Sequence, residues 1–470
     1  VQVEYGDGFM DITVPDTATV IRPGETFTDP PALGEPVAAT ADALDHPLGS
    51  QAIGEMVGPG SKVVIAFPDR VKGGMHETSH RRVVIPLLVE RLLAAGVAEE
   101  DITLVCAIGL HRKNTEDEFR GYLGDAIVDR FRGPRLVNHD PEEPDGIVDL
   151  GTTGHGDMVE VNRAVVEADL AIMIGHSAGN PYGGFSGGYK MPCTGLTTWR
   201  SIRCHHTPGT MYRHDFVPIS SGSHFRHQLT QIGQAIEAAM KRPFFTVDAV
   251  LDSQSRQIAV FTGAVPEVEQ ASWPIAAERT EVELDAEPAD VLVIGMPRSF
   301  HYGPGMGSNP ILMLQAIGSS VARAAGALKP DPVVICTSVC DGWFNDEWFP
   351  AYREIHERYQ QCAHPSEMTA FEDEFATRAD YIDRFRNHYG YHPFHAFSML
   401  YMGGVALNRT RAIYIAGAES PGHARSMGCI PVRTFEDALA HATRHVGPDP
   451  KLLVVPQLSK PQIHVRSSHQ

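Results

Sequence analysis

Short apolar runs that end in glycine- or aspartate-rich loops, each followed by a stretch with helical spacing, recur along the whole chain. Residues 62–67 (KVVIAF) read as a buried strand. A helix follows over 79–95, with Gly96 placed to end it. Residues 102–108 (ITLVCAI) form the next strand, and Thr115-Glu116-Asp117-Glu118 supplies a capping box for another helix. Residues 161–168 read as helix and 170–174 (LAIMI) as strand. A long helix is expected over 225–241, then two β-rich runs at 245–251 and 258–262, and a crossover between domains at 266–285. A second unit follows, with strand 291–294, helix 310–327 and strand 333–336. Helical stretches near 366–385 and 394–407, strand 412–416, helix 435–445 and strand 452–455 complete it. The polar tail after Pro456 is expected to be mobile. Strands alternating with helices predict an α/β fold of two domains, 1–270 and 271–470. Their sheets should be mostly parallel, with ligands at the strand carboxyl ends.

Composition narrows the partners. The 470 residues allow two or three domains with real cores. Asp and Glu number 58 against 39 Lys and Arg, a net charge of −19, which argues against a nucleic-acid or anionic-membrane partner. No apolar run approaches the roughly 18 residues of a membrane helix. The opening Val1-Gln2-Val3-Glu4 lacks a signal-peptide layout. Seven scattered cysteines do not suggest a disulfide framework, and Cys336 and Cys340 read as core thiols. A reducing cytoplasm is the expected location. Oligomeric state is not legible.

Three segments carry candidate chemistry, each after a predicted strand. In 175–206 (GHSAGNPYGGFSGGYKMPCTGLTTWRSIRCHH), Gly183, Gly184, Gly187 and Gly188 let the backbone turn tightly toward a ligand. Their N–H groups could cradle a phosphate. Neither a P-loop nor a GxGxxG spacing is present, which disfavours nucleotide-triphosphate and Rossmann dehydrogenase functions. Lys190 could be a phosphate cation, a covalent nucleophile or a solvated side chain. His205 and His206 are adjacent on a helix from about 197, about 100° apart, so at most one should face a site. A lone histidine is normally no metal site. The second segment is Gly109-Leu110-His111-Arg112, a loop position suited to acid–base work. The third, Pro68-Asp69-Arg70-Val71-Lys72-Gly73-Gly74, sets an acid beside cations. Together they point to one shared pocket.

These residues make the chain similar to the nickel-pincer-nucleotide-dependent lactate racemase family. The likeness rests on Gly109-Leu110-His111-Arg112 with Thr115 and Glu118, Val161-Asn162-Arg163, Glu167-Ala168-Asp169-Leu170, Gly175-His176 and the opening Tyr5-Gly6-Asp7-Gly8. Its most specific element is Gly184-Phe185-Ser186-Gly187-Gly188-Tyr189-Lys190. It covers the amino-terminal half well and the rest more weakly. The resemblance implies a two-domain isomerase with a cofactor in the cleft: nickel held by pyridinium-3-thioamide-5-thiocarboxylic acid mononucleotide. It makes Lys190 the covalent attachment point and His206 the protein's nickel ligand. It places Asp69, His176, Ser186, Gly187 and Gly188 around the cofactor, and makes His111 a catalytic histidine. The cofactor's own three donors would complete a square-planar set.

Three positions depart from the family pattern. The second catalytic histidine is replaced by Asn180, which can orient a hydroxyl but is no base. The carboxylate-binding arginine is replaced by Lys72, which keeps the charge without the bidentate fork. A lysine three residues after a glutamine, here Gln315, is replaced by Gly318. The expectation is a racemase or epimerase of a 2-hydroxy acid or sugar-derived acid larger than lactate, with a small-molecule substrate as its partner. Lys72, His176, His205 and His301 are candidates for the second base. The alternatives are a non-epimerising redox enzyme on the same cofactor, or a cofactor-binding homologue without catalysis.

Overall fold

The computed structural model describes residues 1–458 and 464–469, and it is built on two sheets. In the first, Val63–Pro68 lies between Ile102–Ala107 and Leu170–Ser177, all parallel. Leu136–Asn138 extends the sheet beyond Ile102–Ala107. Phe245–Leu251 extends it beyond Leu170–Ser177, with Gln257–Gly263 as an antiparallel edge. The central strands are buried on both faces, which is why they read as continuous apolar runs rather than alternating ones. Chain order reverses on either side of Val63–Pro68, so a crevice opens at the carboxyl ends of this strand and its two neighbours.

The second sheet centres on Ala289–Pro297, Leu328–Thr337, Ala412–Ala416 and Ile430–Val432, again parallel. Leu452–Val455 pairs with the start of Ala289–Pro297 and Gln2–Gly6 with its end. Gln2–Gly6 also forms a hairpin with Gly8–Asp11, and Thr19–Val20 pairs with Leu452–Val455. The first twenty residues thus belong to the second sheet, so the sheets do not follow a cut at 270/271. The first unit is inserted between the opening strands and the remainder of the second.

Three local readings are corrected. Residues 161–168 divide into the strand Met158–Asn162 and one helical turn, Arg163–Val166, because residues 158–162 pair with Ile147–Thr152. The expected crossover at 266–285 is the helix Val265–Thr280 and the strand Glu281–Leu284. Pro266 falls at the helix start, where it costs no hydrogen bond. The tail is not simply loose: His464–Ser467 pairs in parallel with Glu281–Leu284, and residues 459–463 lie outside the described set. The capping box at Thr115 and Glu118 is formed in both directions. All seven cysteines are free thiols, with Cys336 and Cys340 buried. No helix among the described residues is long and apolar enough to cross a membrane.

Helices Pro310–Ala324 and Phe394–Arg409 cross at close range. A Cβ at Gly318 would run into the carbonyl oxygen of Met402. Gly318→Ala should therefore cost about 1–3 kcal/mol, the usual range for overpacking a core. A wild-type urea midpoint for this variant would show that the helices have room.

Candidate functional site

A cavity of about 380 Å³ lies where the two units meet, at the carboxyl ends of the first sheet. Its wall includes Asp69, Lys72, His111, His176, Asn180, Ser186, Gly187, Lys190 and His206. The three loops therefore converge. Gly188 is not part of the wall. Its N–H donates to Asp248 Oδ2 (2.8 Å), and the N–H of Tyr189 donates to Glu269 Oε1 (3.1 Å). The expected phosphate cradle is thus corrected at Gly188: its amide, like that of Tyr189, serves a buried carboxylate behind the loop. Glu269 is in turn paired with the buried Arg226. Burial pushes Asp248 up to about 6. Gly188 has φ +53, and a Cβ there would strike Glu269, so the position demands glycine for packing.

Asp69 lines the cavity and is also bonded within the protein. Its Oδ2 accepts from His111 Nδ1 at 2.7 Å and its Oδ1 from the N–H of Val71 at 3.1 Å. Both oxygens are used within the protein. Despite burial, His111 and the neighbouring cations hold this carboxyl below its usual range. Arg81, fully buried, clamps the same loop through the carbonyls of Pro68, Asp69 and Gly74. With hydrogen on Nδ1 facing a carboxylate, His111 keeps its Nε2 lone pair for a ligand. Across the cavity, Asn180 Oδ1 accepts from the N–H of Tyr182 (2.8 Å), leaving the amide NH₂ as the group it can offer. Ser186 donates its hydroxyl to the carbonyl of His176 (2.8 Å), tying the two arms of the glycine loop together. Burial, with Lys72 and other nearby cations, pushes His176 down to about 3, so its imidazole is neutral.

Lys190 sits at the start of the turn Lys190–Gly195. Its Nζ lies 4.8 Å from the Phe225 ring centre and 5.4 Å from that of Tyr182. Burial lowers its pKa well below that of a free lysine, and Lys72 and Arg226 add to this, which favours a nucleophilic amine. At the end of helix Trp199–His205, the two histidines separate as helix geometry requires. His206 faces the cavity, its ring 5.4 Å from Tyr182, whereas His205 is fully buried and not in the wall. Their Nδ1 atoms are 2.8 Å apart, so one donates to the other. With the hydrogen on His206, its Nε2 lone pair is available to a metal and His205 fixes the ring.

The second unit supplies walls that sequence reasoning missed. His395 stands 5.5 Å from His111, ring centre to ring centre, and 5.1 Å from Tyr302. Its Nδ1 is bonded to the Tyr352 hydroxyl (2.7 Å), and burial keeps the imidazole neutral. Its signal was a histidine in the first turn of an otherwise apolar helix. On helix Pro310–Ala324, the residues facing the cavity are Gln315, Ala316, Ser319, Ser320 and Arg323. Gly318 packs on Met402 instead, so its reading as a substrate-side position is corrected. His301 and Lys72 do line the cavity, and of the four residues considered as second base only His205 does not.

Comparison with known proteins agrees with this architecture. Residues 5–215 match the family described as the lactate racemase N-terminal domain. A lactate racemase from Lactiplantibacillus plantarum is 24% identical over 242 residues, covering 51% of this chain and 54% of that protein. The match thus spans about half the length of that relative. A lactate racemase from Thermoanaerobacterium thermosaccharolyticum is 21% identical over 314 residues, 66% of this chain and 68% of that one. The apoprotein structure of the lactate racemase from Thermoanaerobacterium thermosaccharolyticum superposes with a TM-score of 0.71 at 18% identity, covering 99% of both chains. A crystal structure of a Thermotoga maritima protein superposes with a TM-score of 0.56 at 15% identity, covering 94% of this chain and 100% of that one. Residues 5–215 are thus similar to the lactate racemase N-terminal domain, and the chain as a whole shares the fold of a lactate racemase apoprotein.

Proposed function

We propose that this chain is a racemase or epimerase of a 2-hydroxy acid or sugar-derived acid larger than lactate, working with a nickel-pincer nucleotide. The observation that carries the reading is the pairing of Lys190 and His206 in one cavity wall, with His111 opposite a carboxylate. Among the described residues, no three His, Cys, Asp or Glu side chains gather as a metal site. A metal at His206 therefore needs donors carried by a non-protein ligand, and the residues present fit a group that brings three. Lys190, with its depressed pKa, suits the covalent tether. When bound, such a group would accept and return hydride at the substrate's C2.

The chain's own residues account for the proton. Nε2 of His111 takes the substrate hydroxyl proton as the carbonyl forms and returns it afterwards. Asp69 holds the tautomer and stabilises the imidazolium that forms. Asn180 donates an N–H to a substrate oxygen. Lys72 offers its ammonium to the carboxylate, and Tyr182, Tyr302 and Met399 line the cavity with apolar surface that disfavours water. Departures at Asn180 and Lys72 are what favour a substrate other than lactate.

The reading is tested by incubating nickel-loaded protein with a panel of 2-hydroxy acids and sugar acids in heavy water, followed by chiral analysis. Epimer formation with the original hydrogen kept at C2 is expected. Deuterium at C2 would replace hydride transfer with proton abstraction, and no epimer from any acid would refute the activity. Nickel content gives a separate check. His206→Ala should lose nickel entirely. His205→Ala should weaken it by about 10–100-fold, the usual effect of losing a residue that orients a ligand. Loss confined to His205→Ala would reject the assignment.

A further inference from the structure

The cavity wall holds four cations, Lys72, Lys190, Arg279 and Arg323, against two carboxylates, Asp69 and Asp252. Both carboxylates are already committed. Asp69 serves His111 and Val71, and Asp252 pairs with Arg256 at 2.7 Å. Arg279, buried, is held by Asp29 at 3.1 Å. Burial turns Lys190 toward the neutral amine, and Lys72, beside Asp69, is assigned to the substrate carboxylate, which leaves Arg323 as the cation without an ion pair among the described residues. Burial brings the Arg323 pKa down to about 10, and the neighbouring Arg279 adds to this. One guanidinium nitrogen of Arg323, Nη1, is buried without a hydrogen-bond partner. Beside it on the same helix face, Ser319 Oγ accepts from Gln315 Nε2 (3.0 Å), which frees its O–H to donate. Burying like charges and an orphaned guanidinium nitrogen costs stability unless something anionic occupies the space between them.

We propose that the side of the cavity formed by Arg279, Arg323 and Ser319 is a binding site for an oxyanion of the phosphate or carboxylate class. An unpaired guanidinium nitrogen beside a free O–H suits such an anion, and a planar guanidinium matches two of its oxygens at once. The oxyanion would be a terminal phosphate or second carboxylate of the substrate, or the phosphate of a bound mononucleotide. The site itself does not depend on the reaction proposed above. Its identification with a substrate group or with the nucleotide's phosphate rests on that reading.

Calorimetric titration of the full-length, metal-free chain with inorganic phosphate tests the site, against Arg323→Gln, Arg323→Lys and Ser319→Ala. One phosphate per chain is expected. Affinity should fall about tenfold or more in Arg323→Gln and less in Arg323→Lys, which keeps the charge without the fork. Should Arg323→Gln fail to fold, Arg323→Lys and Ser319→Ala still report, each with weaker binding than wild type. Wild-type affinity in all the folded variants, or no saturable binding by the wild type, overturns the proposal. Repeating the titration after nickel-nucleotide loading separates the sources. Phosphate binding lost on loading, with low nickel content in Arg323→Gln, assigns the site to the nucleotide. Phosphate binding kept on loading, with full nickel content in that variant, assigns it to the substrate.

Discussion

Replacing His111 by alanine should lower turnover about 10²–10⁴-fold, the range that general acid–base groups contribute. The effect should fall on kcat, because the imidazole is needed to move the hydroxyl proton rather than to hold the acid. Asp69→Asn is the sharper companion test. The amide can still bond to the ring, but it no longer compensates the imidazolium and can favour the wrong tautomer. A loss approaching that of His111→Ala is expected, with nickel content unchanged, because Asp69 spends both oxygens inside the protein. Near-normal turnover in Asp69→Asn would reduce the carboxylate to a loop tie. Near-normal turnover in His111→Ala would remove the proposed mechanism altogether.

The second large effect is on stability in mild acid. His80 and His139 are buried, and each is held neutral with its pKa pushed down to about 4 by burial. The tautomers are fixed by their partners. His139 Nδ1 accepts from Asn162 and its Nε2 donates to the carbonyl of Thr197, while His80 Nε2 donates to that of Val247. A second proton on either ring would find no acceptor already in place. Between pH 6.5 and 4 the unfolded chain binds these protons and the folded chain does not. Their stabilisation is therefore full above pH 6.5 and is lost as the pH falls toward 4. At pH 5 the loss is about 2 kcal/mol for each. Asp248 acts in the opposite sense. Its raised pKa, about 6, returns about 1 kcal/mol over the same interval. The net loss from these three groups is about 3 kcal/mol, a large share of ordinary folding stability. Urea midpoints at pH 7.5 and 5 measure it, and His139→Gln should flatten the profile by one proton's worth. A midpoint independent of pH across that window would contradict the assignment of neutral buried imidazoles.

Much of the strand framework was legible because parallel strands buried on both faces read as unbroken apolar runs, as in Val63–Pro68 and Phe245–Leu251. Where periodicity misled, the deciding partner was distant or local rules were ambiguous. Met158–Asn162 became a strand because Ile147–Thr152 pairs with it, and Val265–Thr280 hides its helical face among residues buried on several sides. The three loops of the site were legible as loops after strands. What their atoms do was not. The amides of Gly188 and Tyr189 answer carboxylates sixty and eighty residues away, which loop composition cannot reveal. His395 and Arg323 reach the cavity from helices that read simply as core.

The opening strands carry a consequence for biosynthesis. Gln2–Gly6 finds its neighbour only when Ala289–Pro297 exists, and Thr19–Val20 waits for Leu452–Val455 near the far end of the chain. The inserted unit, by contrast, has all six strands of its sheet by Gly263. During translation it can fold while the opening hairpin and Thr19–Val20 still lack their sheet, an exposed edge for a chaperone or for a wrong partner. The cavity, walled by both units, is the last feature to close. A ligand that enters it before the chain is finished meets a first wall already formed and a cover still being made.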